Sequence, residues 1–275
     1  YSLTLTSYSV RGSISSYCSS TMPVAIITGA SSGIGEGSAL LLAEKGYSIT
    51  ITGRNEEALK SLVTECIKKG AKEDQILIVV GDVSDKEFAA KLVKDTVDKF
   101  GQIDTLINSA GILVSGEFLS CGIEEYDKVF NVNVRSLIQL TQLALPHIIK
   151  SKGTIVNVSS IAGPCPFPFV SYYCMSKSAV DQFTKCLALE MAPHGVRVNA
   201  VCPGVIVTDI HKRSGMTEQQ YDEFLEKCKS THALGRPGTV DEVARAIHFL
   251  AGPNSSFTTG DLLKVDGGRG IMHPR

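Results

Sequence analysis

The sequence lacks a charge imbalance. Its 27 Lys and Arg residues meet 28 Asp and Glu, so nothing in the charge calls for nucleic acid or an anionic membrane surface. It lacks an apolar run of membrane length, since the best stretch, 137–149, is broken by Gln, Thr, Pro and His. It lacks paired cysteines. The eight are scattered without a CxxC, which implies reduced thiols in a cytosol-like compartment and not a disulfide framework. Each is a small core residue before it is a nucleophile. HExxH and Cys/His ligand spacings are absent too, so no metal site is expected. Acid is missing from the N-terminus, where the first carboxylate is Glu36. Residues 1–21, rich in Ser, Thr and Tyr, read as a disordered leader or a cloning remnant. Lack of acid also fits an organelle presequence, although Arg11 is the one basic residue there. These residues are set outside the fold, and Met22 is a possible natural start. The expected location is cytoplasmic, or mitochondrial if 1–21 is a presequence.

What is present is a rhythm. The 275 residues, 43% hydrophobic and 20% charged, suit one large α/β domain. From residue 24, Val/Ile-rich runs at 24–28, 48–52, 75–80, 105–108, 154–158, 197–202 and 262–265 read as strands. Several are apolar at consecutive positions, as strands covered on both faces should be. Amphipathic stretches at 36–45, 55–69, 85–99, 124–149, 172–192 and 240–251 read as helices. Ser84 with Glu87, and Thr239 with Glu242, have the spacing of capping boxes. Val243, Ala246, Ile247 and Leu250 make one apolar stripe. Alternation from end to end predicts a single-domain Rossmann fold, a doubly wound parallel sheet with helices on both faces.

The first strand runs into "TGASSGIG", then a helix. Glycines 29, 33 and 35 let backbone N–H groups approach a phosphate at a helix N-terminus, where the helix dipole favours negative charge. Gly29, Ser31, Ser32, Gly33, Ile34 and Gly35 are the expected phosphate cradle. The spacing is GxxxGxG and not GxGxxG, so the dinucleotide fingerprint is met in context rather than in letter. A rival reading exists, because Gly29-Ala-Ser31-Ser-Gly33 also matches GxSxG, the nucleophile elbow of serine hydrolases. That elbow follows earlier strands that help build the oxyanion hole, and here none precedes it. The second strand ends in Gly53-Arg54, with no carboxylate at the tip to bond a ribose 2′-hydroxyl. A guanidinium suits a 2′-phosphate. Arg54 therefore predicts NADP(H) over NAD(H).

These pieces, together with others further along, resemble one family. They are TGASSGIG at 28–35, Asp82-Val83 after the third strand, and NSAG at 108–111. Asn133 in "NVNV" follows, then "IVNVSS" ending at Ser160, YCMSK at 173–177, and "PGVIVT" at 203–208. In this order, over nearly all of 22–270, the chain resembles the short-chain dehydrogenase/reductases of the classical type. Its pattern is nearest to 3-oxoacyl-carrier-protein reductase-like and glucose-dehydrogenase-like chains. One departure is Ser109, where the family usually has a second Asn. The resemblance implies strand order 3-2-1-4-5-6-7 and a Tyr173–Lys177–Ser160–Asn133 catalytic set. It implies cofactor contacts from Asp82, Val83, Asn108, Ala110, Gly111, Pro203, Gly204 and Thr208. It also implies dimers or tetramers through the long helices after strands four and five.

The chemistry can be stated for the residues themselves. Reducing a carbonyl needs a proton donor for the developing alkoxide. A tyrosine can also take the proton back only if its phenolate is stabilised, and a nearby ammonium does that. Two tyrosines stand side by side, 172 and 173. On a helix of about 3.6 residues per turn, Tyr173 is offset from Lys177 by about 40° and Tyr172 by about 140°. Tyr173 thus shares the lysine's face, and it also lies thirteen residues after Ser160. Tyr172 becomes a wall or packing residue. Ser160 would bond the substrate oxygen, with Ser159 as the alternative. Asn133 would, by resemblance, bend its helix through a water and extend a proton relay from Lys177. The substrate segment is expected at about 204–231, a lid, and Phe167, Phe169 and Tyr172 suggest an aromatic mouth. The activity expected is an NADP(H)-dependent oxidoreductase acting on a small-molecule carbonyl or secondary alcohol. The alternatives are a catalytically silent cofactor-binding scaffold of the same fold and, more remotely, a hydrolase using Ser31.

Overall fold

The computed structural model describes residues 22–272; the expected leader, 1–21, lies outside the described residues. Seven strands are found: β1 (Val24–Ile27), β2 (Ser48–Gly53), β3 (Ile76–Val80), β4 (Thr105–Asn108), β5 (Thr154–Val158), β6 (Arg197–Pro203) and β7 (Leu262–Val265). All pair in parallel, in the order β3-β2-β1-β4-β5-β6-β7. Each begins within a residue of its expected start. Their legibility has a cause: β1, β2, β4 and β5 are buried at every position, so both faces demand apolar or hydrogen-bonded side chains.

Successive side chains of a strand point to opposite faces, and the two cores divide accordingly. Ile27 belongs to a core closed by α1 (Gly33–Glu44), α2 (Glu56–Lys68) and α9 (Val240–Ala251). Its neighbour Ile26 belongs to the other, closed by α3 (Lys86–Phe100), α5 (Ser136–Ser151) and α6 (Ser171–Met191). The stripe on α9 is as expected, with Val243, Ile247 and Leu250 fully buried and Ala246 packed against them. Thr239 and Glu242 close the expected capping box.

Three expectations need correction. The stretch 124–149 is not one helix. It is α4 (Ile123–Phe130), a π-helical turn at Asn131–Arg135, and then α5. Ser84 does not cap α3; Asp85 does, accepting from the N–H groups of Glu87 and Phe88 at 2.8 and 3.3 Å. Ser84 is engaged instead by Asp82, whose Oδ1 accepts its hydroxyl at 2.7 Å. The segment after β6 carries two helices of its own, α7 (Ile210–Arg213) and α8 (Glu218–Thr231), the latter opened by a Thr217–Gln220 capping box. Among the described residues, no helix is long and apolar enough to cross a membrane.

Candidate active site

The expected site residues collect beyond the carboxyl ends of β1 to β6, joined by Asn133 from the π turn and Tyr173 and Lys177 from α6. The glycine turn shows why its spacing is what it is. Gly29 has φ +66°, and a Cβ there would lie 2.9 Å from Ala110 Cα. Gly33 has φ +60° and faces Thr208 Cγ2, which a Cβ would meet at 3.2 Å. A Cβ on Gly35 would come within 2.4 Å of the Gly29 carbonyl oxygen, so only glycine lets α1 settle on the turn. Ser32 is the N-cap of α1, but its side chain caps no helix N–H. Ile34 packs into the core beneath. The turn is held to β4 by Thr28, whose hydroxyl accepts from the N–H groups of Ser109 and Ala110, both at 3.0 Å. The substituted Ser109 thus contributes its backbone where the family pattern has Asn.

Ser31 sits against the tip of β2; a Cβ on Gly53 would be 2.9 Å from its Oγ. No histidine is hydrogen-bonded to Ser31 among the described residues, so the elbow lacks the base a serine nucleophile needs. Arg54 follows at the tip, exposed, with Nη1 3.8 Å from Asp82 Oδ2. Burial alone would raise the Asp82 carboxyl, but the bonds from Ser84 and the Arg54 guanidinium outweigh it and hold the group below its ordinary value. Val83, Asn108 and Ala110 line one crevice with Thr28. The Asn108 amide turns inward, donating to Asn157 Oδ1 at 2.9 Å and Thr141 Oγ1 at 3.1 Å; Asn108 shapes the wall and does not project from it. The cradle fits a dinucleotide: three positions where a Cβ would intrude, a helix N-terminus, and a polar cap residue with its hydroxyl free of the helix.

On the other side of the switch point stand the catalytic candidates. Asn133 is 1% exposed. Its Oδ1 accepts from Ile112 N at 2.8 Å, and its Nδ2 donates to Ile112 O at 2.9 Å and to Ser176 Oγ at 3.0 Å. The π turn thus carries a clamp on the loop after β4. A Cβ on Gly111, in that loop, would lie 3.5 Å from Asn133 Oδ1 and 3.6 Å from Lys177 Nζ, so Gly111 leaves room between them. Asn133→Ala should lower stability by about 2 kcal/mol, because both Ile112 backbone groups lose their partner. Chemical denaturation checks this, and an unchanged midpoint would mean the loop is held by other contacts.

Ser159 and Ser160 part company at the end of β5. Ser159 is buried and donates to the Asp181 carboxylate on α6. Ser160 is half-buried, accepts from Ala162 N at 3.1 Å, and lies close enough to the Tyr173 phenol to oppose the rise in its pKa. Tyr172 points away: its hydroxyl donates to Cys121 O at 3.2 Å, and its ring meets Tyr126 and Phe118 edge-on. The wheel argument for Tyr173 agrees with this placement. Lys177 is 5% exposed and donates from Nζ to Val158 O at 2.8 Å. Its ammonium is 5.6 Å from the Tyr173 ring centroid.

The electrostatics depart from the expectation that the lysine pulls the phenol down. Burial pushes Tyr173 up to about 12, opposed by the Ser160 hydroxyl. Burial lowers Lys177 to about 8, with Asp181 and Cys202 resisting. Desolvation dominates both groups.

The segment after β6 runs beside these residues. Ile161 N donates to Pro203 O at 3.0 Å, which joins the serine loop to β6. Gly204 packs on the exit of β7, where a Cβ would be 2.9 Å from Asp266 Cα. Tyr221 of α8 holds both backbone groups of Thr208, at 3.2 Å from N and 2.9 Å from O. A cavity of about 620 Å³ opens between Ser115 and this segment, bordered by Ser214, Met216, Gln220 and Phe224. Two arginines here were not singled out by sequence. Arg269 lies over the half-buried Phe167 ring, 5.1 Å from its centroid. Arg213 donates to Ser32 Oγ at 3.0 Å. Their sequence signal is faint, since each stands in a polar or glycine-rich run remote from its partner.

Comparison with known proteins identifies the family. A family model described as enoyl-(acyl carrier protein) reductase matches residues 29–269. The 3-oxoacyl-[acyl-carrier-protein] reductase FabG of Thermotoga maritima is 39% identical, over 89% of this chain and 96% of that protein. A Caenorhabditis elegans short-chain dehydrogenase/reductase of unknown function, solved with cofactor, superposes with TM-score 0.87 at 36% identity, covering 92% of this chain and 97% of that one. ElxO with NADP bound superposes with TM-score 0.83 at 33% identity, covering 92% and 100%. The chain is an oxidoreductase and belongs to the short-chain dehydrogenase/reductase family.

Proposed function

We propose that this protein is an NADP(H)-dependent reductase of a small-molecule carbonyl, or the reverse secondary-alcohol dehydrogenase, with Tyr173 as general acid. The observation that carries the reading is the convergence of Tyr173, Ser160 and Lys177 from α6 and β5. Bound NADPH would supply the hydride. The residues of this chain do the rest. Ser160 bonds the carbonyl oxygen and orients it. Tyr173, a phenol neutral at pH 7 and pushed further up to about 12 by desolvation, donates its proton to that oxygen as negative charge develops. Lys177 remains protonated below about 8 and stabilises the phenolate left behind. Asn133 fixes the loop that walls the site.

For the cofactor, Gly29 to Gly35 would cradle the pyrophosphate and Arg54 the 2′-phosphate. Pro203, Gly204 and Thr208 would flank the nicotinamide, and residues 204–231 would act as lid. Support for NADP over NAD comes from the exposed Arg54 guanidinium and from the NADP-bound relative. Arg54→Ala should weaken NADPH binding roughly 10–100-fold and NADH binding less than about twofold. Equal effects on the two cofactors would reassign Arg54. The 3-oxoacyl reductase relative makes a 3-oxoacyl thioester the first substrate to assay, in a panel with bulky ketones. NADPH consumption with any of them separates an enzyme from a silent scaffold. Self-association through α5 and α6 belongs to the same reading, and would cover the exposed Leu189 and Met175.

A further inference from the structure

A side-chain hydrogen bond joins the lid to the glycine turn. Arg213 ends the short helix α7, and its Nη1 donates to Ser32 Oγ at 3.0 Å, across 181 positions of sequence. The lid also touches the turn through Thr208, whose Cγ2 faces Gly33. Arg213 has one loose ionic neighbour, Asp209 Oδ2 at 3.8 Å, and its side chain is 63% exposed. A guanidinium has five N–H donors, so most of them face open space. Its position is electrostatically odd. The N-terminus of α1 carries partial positive charge, and a cation above it is repelled unless an anion lies between.

We propose that Arg213 is the lid's ligand for the pyrophosphate of the dinucleotide, so that the anion ties α7 to the N-terminus of α1 and closes the lid. This rests on the dinucleotide reading above. It gives the two arginines separate tasks. Arg54, past β2, selects the 2′-phosphate. Arg213, over Ser32, holds the pyrophosphate that both nicotinamide cofactors share, and couples it to the segment bordering the cavity beside Ser115.

Two fragments isolate the contact. ADP-ribose has the pyrophosphate without nicotinamide or 2′-phosphate, and 2′-AMP has the 2′-phosphate alone. The chain contains no Trp, so calorimetry is the suitable titration. Arg213→Ala should weaken ADP-ribose about tenfold and leave 2′-AMP unchanged, with partial recovery in Arg213→Lys. ADP-ribose should slow hydrogen exchange across 208–231 in the unmutated protein and not in Arg213→Ala. Equal ADP-ribose affinity and equal lid protection in the two proteins would overturn the proposal alone. An unmutated protein that bound neither fragment would remove the dinucleotide reading, and this inference with it.

Discussion

Replacing Tyr173 by Phe is expected to lower turnover by roughly a thousandfold, while NADPH binds as before. The variant removes one proton donor and nothing that shapes the cradle. Tyr172→Phe is the matched control. It deletes a hydroxyl bonded to Cys121 O at 3.2 Å, far from the carbonyl site, so it should cost about 1 kcal/mol of stability and less than about half the rate. Adjacent residues of one type then give opposite outcomes for a geometric reason, because they leave α6 on different sides. Steady-state kinetics with NADPH and a ketone substrate, beside calorimetric cofactor binding, measure both. Similar losses in the two variants would sink the assignment of Tyr173 as the acid.

The same α6 shows what a sequence carries and what it does not. Its strands and cradle are legible because they impose local rules. Buried parallel strands read as Val/Ile runs, and each glycine of the turn stands where a Cβ would strike Ala110, Thr208 or the Gly29 carbonyl. Tyr173 is chosen over Tyr172 by helical period and by its spacing from Ser160. Side-chain periodicity runs through the break in 124–149 and does not show it; only the family resemblance put a bend at Asn133, and the π turn there is stabilised by Asn133 bonding to Ile112, which sequence places 21 residues away. Ser84–Glu87 matched a capping pattern, but Asp82 competes for the serine and Asp85 offers α3 a carboxylate. Nothing in the spacing of the lid links Arg213 to Ser32, and only folding brings them together. The phenol's ordinary reading failed for the same kind of reason. An ammonium four residues on argues for a lowered Tyr173, while desolvation of this half-buried phenol, which no spacing encodes, raises it to about 12.

Depth of burial also sets the second large effect, at Lys177. Its pKa falls from 10.5 to about 8 because the ammonium is desolvated, with Asp181 and Cys202 only partly compensating. The rate of carbonyl reduction needs Tyr173 and Lys177 both protonated. With Tyr173 near 12, Lys177 loses its proton first, so kcat/KM should be level below about pH 8 and fall above it, about tenfold per pH unit. Lys177→Met should lose roughly a hundredfold or more at pH 7, and with it the alkaline limb near 8. Stability should move the other way. Between about pH 8 and 10.5 the unfolded chain holds a proton that the folded chain has released, so the unmutated protein should gain stability as pH rises through that window. Below pH 8 the buried charge costs roughly 3 kcal/mol. Methionine removes that cost but leaves the Val158 carbonyl without its donor, a loss of about 1–2 kcal/mol. Lys177→Met is therefore expected to be at least as stable as the parent at pH 7, without the alkaline gain, and nearly inactive. A melting temperature well below the parent's, with activity per folded molecule retained, would make Lys177 a structural residue and leave Tyr173 without its cation.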